Sequence, residues 1–457
     1  MTTRRSAVLV IAALLLAAAC SNADTTSGSG TTSTPSGPGT TYAGTNYDEH
    51  VPVDAPGVTD TEIRVGSITA TTNPLGTDLG LLNDGIEAYF DTINAQGGIY
   101  GRKLKLVSKR DDQTVRNATE AQALLAQDKV YAAFIGSVLF TGAKLLAQAG
   151  IPTFGWNINA EWAGPKNFFP NVAPLCFEGC PLFPHQFPWV AQQVGAHRVA
   201  LLGYDVPQSA ACVNGTKNAF QRFGDNVGAK LVYSDASLTF GQVDLSPQVA
   251  KMKDEHVDFL VTCTDFNGDY AIAQEMQRQG IRDDVTFLHP NMYNHDFVAK
   301  NGDAFEGDIV LDYLLAVEHK PLPQAVQEYL DYAAAHDLKV TEMTMHGWVA
   351  AHQFVDALKA TGPNFTWTNL INAWNQENFY TAGGWSQPID WTKNHQPPSD
   401  WECLTYVKIE HSKFVPWGGA PNKPWVCFDG TKPNEWQEPH FVSFDTSKPF
   451  TFADTTR

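Results

Sequence analysis

Short apolar runs alternate with segments of helical periodicity along residues 62–154. In the helical segments apolar residues recur three or four positions apart, as Ile86, Tyr89, Phe90 and Ile93 do, so one face of each helix is predicted to be buried. A strand followed by a helix, repeated at this spacing, predicts a parallel sheet covered by helices. The predicted strands are 62–69, 104–107, 130–135 and 151–154, and the predicted helices include 86–93, 117–128 and 142–149.

The same alternation begins again at residue 198 and predicts a second α/β unit. Two successive runs of this kind predict two similar lobes with parallel sheets. Beyond about residue 380 the chain is rich in Trp, Pro and Gly and is predicted to be irregular, with strand-like pieces at 403–409 and 439–444. The second unit has predicted strands at 198–203, 230–233, 257–263 and 285–288, and predicted helices at 211–223, 246–255 and 269–279. After residue 308 the chain resumes with a predicted strand at 308–315 and predicted helices at 322–336 and 346–361.

The first twenty residues have the three parts of an export signal. Arg4 and Arg5 are basic, residues 7–16 are apolar, and residues 17–19 are alanines that form a small-residue cleavage site. The apolar run is shorter than the ~20 residues that a membrane-spanning helix needs. Cys20 follows the alanines, so residues 1–19 resemble a bacterial lipoprotein signal peptide and Cys20 is the predicted lipidation site. The alternative is an ordinary secretory signal followed by a chance cysteine.

Composition limits the classes of partner. The 457 residues include 31 basic and 49 acidic side chains, a formal net charge of −18, and 43% of them are hydrophobic. This acidity argues against nucleic acid as a partner, since nucleic acid attracts Lys and Arg. The hydrophobic content supports a folded body, whereas residues 20–45 are rich in Ser, Thr, Gly and Pro and are predicted to be a flexible tether.

Six further cysteines suggest disulfide bonds, because an even number in an exported chain is typical of them. Six cysteines allow fifteen pairings. A zinc site is the alternative, but the chain has no CxxC pair or matching histidine spacing. The preferred pairs are Cys176–Cys180, Cys212–Cys263 and Cys403–Cys427.

Several short motifs resemble the type I periplasmic binding proteins, and specifically the branched-chain amino-acid binding subunits of ABC importers. The most specific is Ile-Asn-Ala-Gln-Gly-Gly-Ile-Tyr-Gly-Arg at 93–102, whose glycines end a helix and turn the chain toward the next strand. The others are Ile-Arg-Val-Gly-Ser-Ile at 63–68, the Asp111–Asp112 pair, and Ile-Gly-Ser at 135–137. The resemblance implies two Rossmann-like lobes, joined by a three-segment hinge, that enclose a small ligand.

The resemblance also implies an organisation and a set of partners. The expected lobes are 46–183 plus 308–378, and 184–307 plus 379–457. The expected partners are a small-molecule ligand and the permease subunits of an ABC transporter, with a membrane contact through the lipid anchor alone. The protein is expected to be an extracytoplasmic monomer, and neither a cofactor nor a metal is expected. His289 and His295 are close in sequence, but such a pair is more often solvated or hydrogen-bonded locally.

The family pattern places the ligand site in loops that follow strands of both lobes, where helix N-termini present free N–H groups. Each residue also has an ordinary structural role as its alternative: the asparagines as turn residues, Asp265 as a helix cap, and Met345 and Trp348 as core. The predicted ligand-binding residues are Phe140, Thr141, Asn157, Asn159, Gln208, Ser209, Asp265, Asn267, Asn291, Met345 and Trp348.

One departure from the family pattern bears on the ligand. Branched-chain binders carry an acidic residue where this chain has Asn291, and that acid pairs with the ligand's ammonium group. Asp265 is a candidate replacement from a neighbouring loop. The resemblance implies a branched-chain amino acid as the first candidate ligand, and the departure at Asn291 leaves an amide, an aromatic acid or another molecule without an ammonium group as the alternative.

Three classes of function follow. The first is a solute-binding protein of an importer, and the second is the same fold acting as a ligand sensor. The third is an exported hydrolase, which is disfavoured because the chain has no GxSxG, HExxH or Walker motif in a fitting context. The chain is therefore predicted not to be an enzyme.

Overall fold

The computed structural model describes residues 47–172, 183–242, 244–393, 395–396 and 400–444. The predicted signal peptide, the lipidation site Cys20 and the tether lie outside these residues, as do Cys176 and Cys180. Within the described part of the chain, none of the helices is both long enough and apolar enough to cross a bilayer.

The first sheet has five parallel strands in the order β2-β1-β3-β4-β5. Buried residues dominate the central strands, as expected for a parallel sheet covered on both faces. The last strand was not predicted, because three residues carry too little periodicity to be recognised. The strands are β1 (Glu62–Thr69), β2 (Lys103–Asp111), β3 (Ala133–Gly136), β4 (Thr153–Gly155) and β5 (Phe168–Pro170), and the helices between them are α1 (Leu81–Ala95), α2 (Asn117–Ala123) and α3 (Ala143–Ala149).

The second sheet has nine strands and is mixed. Its parallel part has the order β10-β9-β8-β6-β7, and an antiparallel part, β14-β13-β11 with β12 paired to β11, continues from β10. The parallel strands are β6 (Arg198–Tyr204), β7 (Lys230–Leu238), β8 (Phe259–Cys263), β9 (Thr286–His289) and β10 (Ile309–Asp312). The antiparallel strands are β11 (Trp401–Glu410), β12 (Lys413–Trp417), β13 (Trp425–Asp429) and β14 (His440–Val442).

The remaining helices follow the predicted order, with three additions that sequence periodicity did not show: α4, α8 and α11. Each of these spans only seven or eight residues. The helices are α4 (Gln186–Gln193), α5 (Pro207–Val227), α6 (Ser246–Asp254), α7 (Phe266–Gln279), α8 (His295–Asn301), α9 (Gln324–His336), α10 (Glu342–Thr361) and α11 (Trp367–Trp374).

The predicted α/β fold with two parallel-strand units is confirmed, but two details differ. After residue 380, the strand-like pieces predicted at 403–409 and 439–444 are β11 and β14, but they belong to an antiparallel extension with β12 and β13 that was not predicted. Strand β10 lies in the second sheet, although the sequence analysis assigned 308–378 to the first lobe. An apolar run shows that a strand is buried but does not show which strands it pairs with. The lobe boundaries otherwise stay a prediction.

The glycine-rich motif at 93–102 has a structural explanation. Gly97 and Gly98 have φ of +114° and +89°, which side chains with a Cβ rarely adopt. A Cβ on Gly98 would also overlap the carbonyl oxygen of Arg102. The Arg102 side chain is buried and donates to the backbone carbonyls of Thr59 and Val51 at 2.7 and 2.8 Å. The motif therefore fixes the connection between α1 and β2.

Two disulfide bonds lie in the described residues. The sulfur atoms of Cys212 and Cys263 are 2.02 Å apart, and those of Cys403 and Cys427 are 2.11 Å apart. These are the two pairs that the sequence analysis preferred there. The first links α5 to the last residue of β8, and the second joins residues that lie opposite each other in β11 and β13.

Helices α1 and α10 approach each other closely because each presents a glycine at the contact. A Cβ on Gly85 would overlap the carbonyl oxygen of Thr344, and a Cβ on Gly347 would overlap the carbonyl oxygen of Leu82. The contact matters to the rest of the molecule because the first residues of α10 reach the cleft described below.

We expect Gly347→Ala to lower the free energy of unfolding by about 1–3 kcal/mol, because the two helices must separate to admit a methyl group. Helix propensity alone predicts the opposite sign, since Ala stabilises a helix interior by ~1 kcal/mol relative to Gly. Urea denaturation of the two proteins measures the difference. A variant as stable as the parent, or more stable, would contradict the close helix contact.

Candidate functional site

A cleft lies where strands of both sheets end. Its walls come from the loops after β1, β3 and β4 in the first sheet, from the carboxyl ends of the parallel strands in the second, and from the first turn of α10. The cleft holds about 870 Å³ of space free of protein atoms, including its mouth to solvent. It is lined by Leu75, Thr77, Leu79, Val138, Trp156, Ile158, Tyr204, Val206, Gln208, Ser209, Cys212, Phe240, Cys263, Thr264, Asp265, Phe266, Pro290, Asn291, Tyr313, Glu342 and Met343.

Most of the cleft wall is apolar or aromatic. Trp156, Tyr204 and Tyr313 are large rings in the wall, and the Cys212–Cys263 disulfide also lies in it. Such a surface favours a ligand with an apolar body, since burying that body removes apolar area from water.

Two side-chain amides in the wall are available to a ligand. Gln208 is in the first turn of α5, and Asn291 lies just after β9; both are partly exposed. Neither amide is hydrogen-bonded to a side chain or backbone group elsewhere in the described chain, so each has donors and an acceptor to offer. Ser209 differs, because its Oγ donates to the carbonyl of Cys263 at 2.5 Å and accepts from the backbone N–H of Tyr204 at 2.6 Å.

Asp265 both caps a helix and faces the cleft. Its carboxylate accepts from the backbone N–H of Gly268 at 3.0 Å and so caps the N-terminus of α7. Burial raises the pKa of the Asp265 carboxyl to about 6, against that hydrogen bond and the neighbouring Tyr204 hydroxyl. Asp265 is thus mostly ionised at pH 7 and makes its part of the cleft negative.

Glu342 is a second acid in the wall and was not predicted. It is the first residue of α10, is 7% exposed, and accepts from the indole N–H of Trp156 at 3.1 Å. Burial raises the pKa of the Glu342 carboxyl to about 8, and the Trp156 hydrogen bond offsets part of that effect. At pH 7 the unliganded protein therefore holds Glu342 mainly as the neutral acid.

A buried charged network lies behind the second-sheet wall. The His289 ring contacts the carboxylates of Asp269 at 2.8 Å and Asp308 at 3.1 Å, and Arg282 binds Asp308 from the other side. Burial alone lowers the pKa of His289, but the two carboxylates reverse this and raise it to about 9. Thr264, which lines the cleft, donates its hydroxyl to Asp269. The network thus supports the cleft wall from below.

The two histidines weighed as a metal pair have separate roles. His289 belongs to the charged network, whereas His295 binds Glu318 at 2.6 Å. Within the described ranges, no three His, Cys, Asp or Glu side chains are grouped so that they would hold a metal ion.

The structure brings four of the predicted ligand-binding residues to the cleft and leaves seven outside its wall. Those in the wall are Gln208, Ser209, Asp265 and Asn291, all from the second sheet's side. Those outside it are Phe140, Thr141, Asn157, Asn159, Asn267, Met345 and Trp348.

The asparagines after β4 do not face the cleft because side chains alternate along extended chain. Trp156 and Ile158 line the cleft, and Asn157 between them is buried and points its amide toward the carbonyl of Val172 at 3.4 Å. Asn159 donates to the carbonyl of Val138 at 2.8 Å and so ties the loops after β3 and β4 together. Both therefore have the turn-type role that was the alternative.

The residues after β3 are also structural. Phe140 packs in the core against Trp162 and Phe168, with ring centroids 5.1 and 5.6 Å apart. Thr141 is exposed, and its Oγ accepts from the backbone N–H of Ala118 at 3.2 Å, in the first turn of α2. Neither side chain lines the cleft.

Met345 and Trp348 lie deeper along α10 than the cleft. A helix rises 1.5 Å per residue, so they stand about one and two turns beyond Glu342. Met345 is fully buried, and Trp348 packs on Tyr89 and Tyr329 with centroids 5.1 and 5.4 Å apart. The sequence analysis began this helix at 346, which left Glu342 in a loop. The N-cap pattern Thr341-Glu342, with the Thr341 hydroxyl accepting from Thr344, is the signal that would have placed it correctly.

Asn267 lies at the rim of the cleft. Its side-chain amide donates to the carbonyl of Pro74 at 3.2 Å, and its backbone N–H lies 3.4 Å from the carbonyl of Leu75. The loop after β1 thus contacts the start of α7, and a Cβ on Gly76 would overlap the Asn267 side chain. Asn267 therefore joins the two sides of the rim.

The comparisons with known proteins agree with this geometry. The family model of the periplasmic binding protein matches residues 62–411, which include every strand of the first sheet and all of the cleft. The chain belongs to the periplasmic binding protein family. Members of this family bind small-molecule ligands outside the cytoplasm and work with the permeases of ABC transporters.

Solved structures of other periplasmic binding proteins share the fold. A substrate-binding periplasmic protein from Ralstonia solanacearum has a TM-score of 0.65 at 17% identity, over 78% of this chain and 100% of that one. A branched-chain amino acid ABC transporter protein from Thermus thermophilus with bound valine has a TM-score of 0.64 at 17% identity, over 78% and 96%.

A third structure has another kind of ligand. It is an ABC transporter solute-binding protein from R. palustris in complex with benzoate, with a TM-score of 0.63 at 17% identity, over 81% of this chain and 98% of that one. At such identities the likeness shows the fold and leaves the ligand open. No curated protein sequence matches this periplasmic binding protein.

We expect Glu342→Gln to stabilise the unliganded protein in a pH-dependent way. Folding raises the pKa of Glu342. Above about pH 4.5 the carboxyl ionises in the unfolded chain but stays protonated in the folded parent, which lowers the parent's free energy of unfolding. The penalty grows until the folded acid ionises near pH 8. The free energy of unfolding of the variant should therefore match that of the parent near pH 4.5 and exceed it by about 3 kcal/mol at pH 7.

Urea denaturation at pH 4.5, 6, 7 and 8.5 measures this difference. Glu328→Gln on α9 is the matched control, because Glu328 is exposed and does not line the cleft. A stability difference for Glu342→Gln that stays constant with pH would show that the acid is not desolvated as described.

Proposed function

We propose that this protein is a lipid-anchored, extracytoplasmic solute-binding protein that closes two lobes over a small ligand and presents it to the permease of an ABC importer. The ligand is an amino acid with an apolar side chain, and branched-chain amino acids are the first candidates. The observation that carries the proposal is the cleft itself, where an apolar wall is combined with two carboxyl groups.

The charges of the cleft favour a ligand with an amino group. Asp265 and Glu342 both lie in its wall, and no Lys or Arg is found among the described residues that line it. A ligand with only a carboxylate would find no cation in the wall to pair with, whereas a ligand ammonium group can form an ion pair with either acid. An α-carboxylate has partners too, because α5 begins at the cleft without a side-chain cap and its N-terminus offers backbone N–H groups there.

A second candidate ligand is an aromatic or aliphatic carboxylic acid, or an amide. Glu342 as a neutral acid has a proton to donate to a ligand oxygen, and the helix N-termini favour an anion. Structurally similar proteins include one with bound benzoate and a fatty acid ABC transporter substrate-binding protein from Thermomonospora curvata. This candidate keeps the transport function and changes the ligand class.

The anchor, the lobe boundaries and the monomeric state are proposed from the sequence. Cys20 is the lipidation site, and residues 20–45 tether residues 46–457 to the membrane. An acidic chain with a lipid at one end and a ligand cleft in its body is consistent with delivery to a permease, and a ligand sensor with the same cleft is the alternative role. No catalytic residue is proposed.

A thermal-shift screen tests the ligand class. L-leucine, L-isoleucine, L-valine and L-phenylalanine should raise the melting temperature, since a ligand that binds only the folded state stabilises it by RT ln(1 + [L]/Kd). Benzoate, 3-phenylpropanoate and 4-methylpentanoate form the comparison set. Shifts with the acids alone would replace the first candidate by the second, and no shift with either set would contradict both.

We expect Asp265→Asn to weaken binding of the amino acid with the largest shift by about 1–3 kcal/mol, because a charge that faces the ligand is lost. Isothermal titration calorimetry measures the affinity. Asp283→Asn, an exposed acid in the short turn before β9, is the matched control and should bind as the parent does. Equal affinities for Asp265→Asn and the parent would remove Asp265 from the site.

We expect Cys20→Ala to release the protein from the membrane fraction of a bacterium that expresses the full chain. Lipidation requires the cysteine thiol, and a variant that is cleaved at the small-residue site 17–19 keeps neither the lipid nor the apolar run. Incorporation of labelled palmitate into the parent and its loss in the variant measure the modification. A parent that carries no label would support the ordinary secretory signal instead.

A further inference from the structure

We propose that Glu342 is the residue that binds the ligand's cationic amino group, and that it releases a proton to solvent when the ligand binds. This inference rests on the proposed function and names a recognition residue for it. The family pattern has its acid where this chain has Asn291, so the role would have moved from the loop after β9 to the first residue of α10.

The hydrogen bonds of Glu342 leave one of its oxygens for a ligand. The indole N–H of Trp156 donates to Oε1, which fixes the carboxyl group against the wall of the cleft. Among the residues that the structure describes, none donates a hydrogen bond to Oε2. Because Glu342 is a member of the cleft wall, a ligand that fills the cleft is in position to bind this second oxygen.

Glu342 has no cationic partner within the described protein. The nearest basic side chain is His346, whose Nε2 lies 3.7 Å from Oε1, which is beyond hydrogen-bonding distance. The amide of Asn171 donates to Nδ1 of His346 at 3.1 Å, and burial lowers the pKa of His346 to about 3, so the ring stays neutral. A buried acid without a counter-charge is destabilising when ionised, and a ligand ammonium group supplies that charge.

The other groups around Glu342 reinforce the need for a cation. Asp312, at the end of β10, is fully buried, and burial raises its pKa well above the usual value, with the nearby Glu342 adding to this effect. Tyr313 is the next residue and lines the cleft, and burial raises its pKa, so it is neutral. No positive group faces Glu342 from β10, from α10 or from the loop after β4.

Asp265 is less suited to this role. One of its oxygens already caps α7 through the backbone N–H of Gly268, and that helix N-terminus offsets part of its negative charge. Glu342 also begins a helix, but its carboxyl group is bound by a single neutral donor. The negative charge of ionised Asp265 is therefore partly offset by its protein partners, whereas that of ionised Glu342 is offset less and is more available to a ligand cation.

The proton balance of the step is simple. In the free protein the carboxyl is mainly COOH at pH 7; in the complex it is COO⁻ paired with R–NH₃⁺, and the proton goes to buffer. With a folded-state pKa of about 8, close to one proton per ligand should be released at pH 7, and the affinity should rise about tenfold from pH 6 to pH 7.

Calorimetric titration in phosphate and in Tris at pH 7 measures the released protons, because the two buffers differ in their heat of protonation. The probes are two matched pairs: L-leucine with 4-methylpentanoate, and L-phenylalanine with 3-phenylpropanoate. Each acid lacks only the amino group of its partner. We expect an amino acid to bind at least tenfold more tightly than its acid and to release a proton.

Glu342→Gln should bind that amino acid at least tenfold more weakly, with no net proton release at pH 7. Circular dichroism and the melting curve establish that the variant is folded. Asp265→Asn should still release a proton with whatever binding remains, and Glu328→Gln should behave as the parent does.

Four outcomes would overturn the inference, and they differ in what else they overturn. Equal binding of an amino acid and its acid, or amino-acid binding without proton release, would contradict the role of Glu342 and leave the solute-binding function intact. Tighter binding of an acid would show that Glu342 acts as a neutral donor. Binding of none of the four probes would contradict the ligand class of the proposed function as well.

Discussion

In a parallel sheet, every strand ends at the same edge and the helix that follows begins there. This protein has two such edges, and residues beyond both of them form the wall of one cleft. The geometry has two chemical consequences. It gathers loops from distant parts of the chain at one place, and it directs the N-termini of α5, α7 and α10 to that place, where the helix dipoles and the uncapped N–H groups of α5 favour an anionic part of a ligand.

The side chains in the cleft add a second, opposite preference. Asp265 and Glu342 bring negative charge, or the capacity for it, into a mostly apolar wall that has no basic residue among its described members. Helix N-termini for an anion and carboxyl groups for a cation together fit a zwitterion with an apolar body better than they fit either charge alone. The close contact of α1 and α10 through Gly85 and Gly347 is what holds Glu342 at this position.

The antiparallel extension β11–β14 has a structural role instead of a ligand-binding one. It continues the second sheet from β10, and the Cys403–Cys427 disulfide ties two of its strands together. No residue beyond Met343 lines the cleft in the described chain. Such an extension covers the edge that β10 would otherwise expose, and an exposed strand edge is a site for unwanted pairing.

The sequence by itself determined the α/β alternation and the order of most strands and helices, and the cysteine pairs that it favoured, Cys212–Cys263 and Cys403–Cys427, are bonded in the structure. It also placed Gln208, Ser209, Asp265 and Asn291 in the loops that reach the cleft. These features depend on short-range periodicity or on loops that directly follow a strand.

Only the tertiary structure decided that β10 joins the second sheet, that Asn157 faces away from the cleft, and that Glu342 faces into it. Trp156 and Glu342 are 186 residues apart, and their hydrogen bond exists because the first residue of α10 packs against the loop after β4. A local sequence pattern does not predict such a contact, because the contacts between distant segments depend on the packing of the whole molecule.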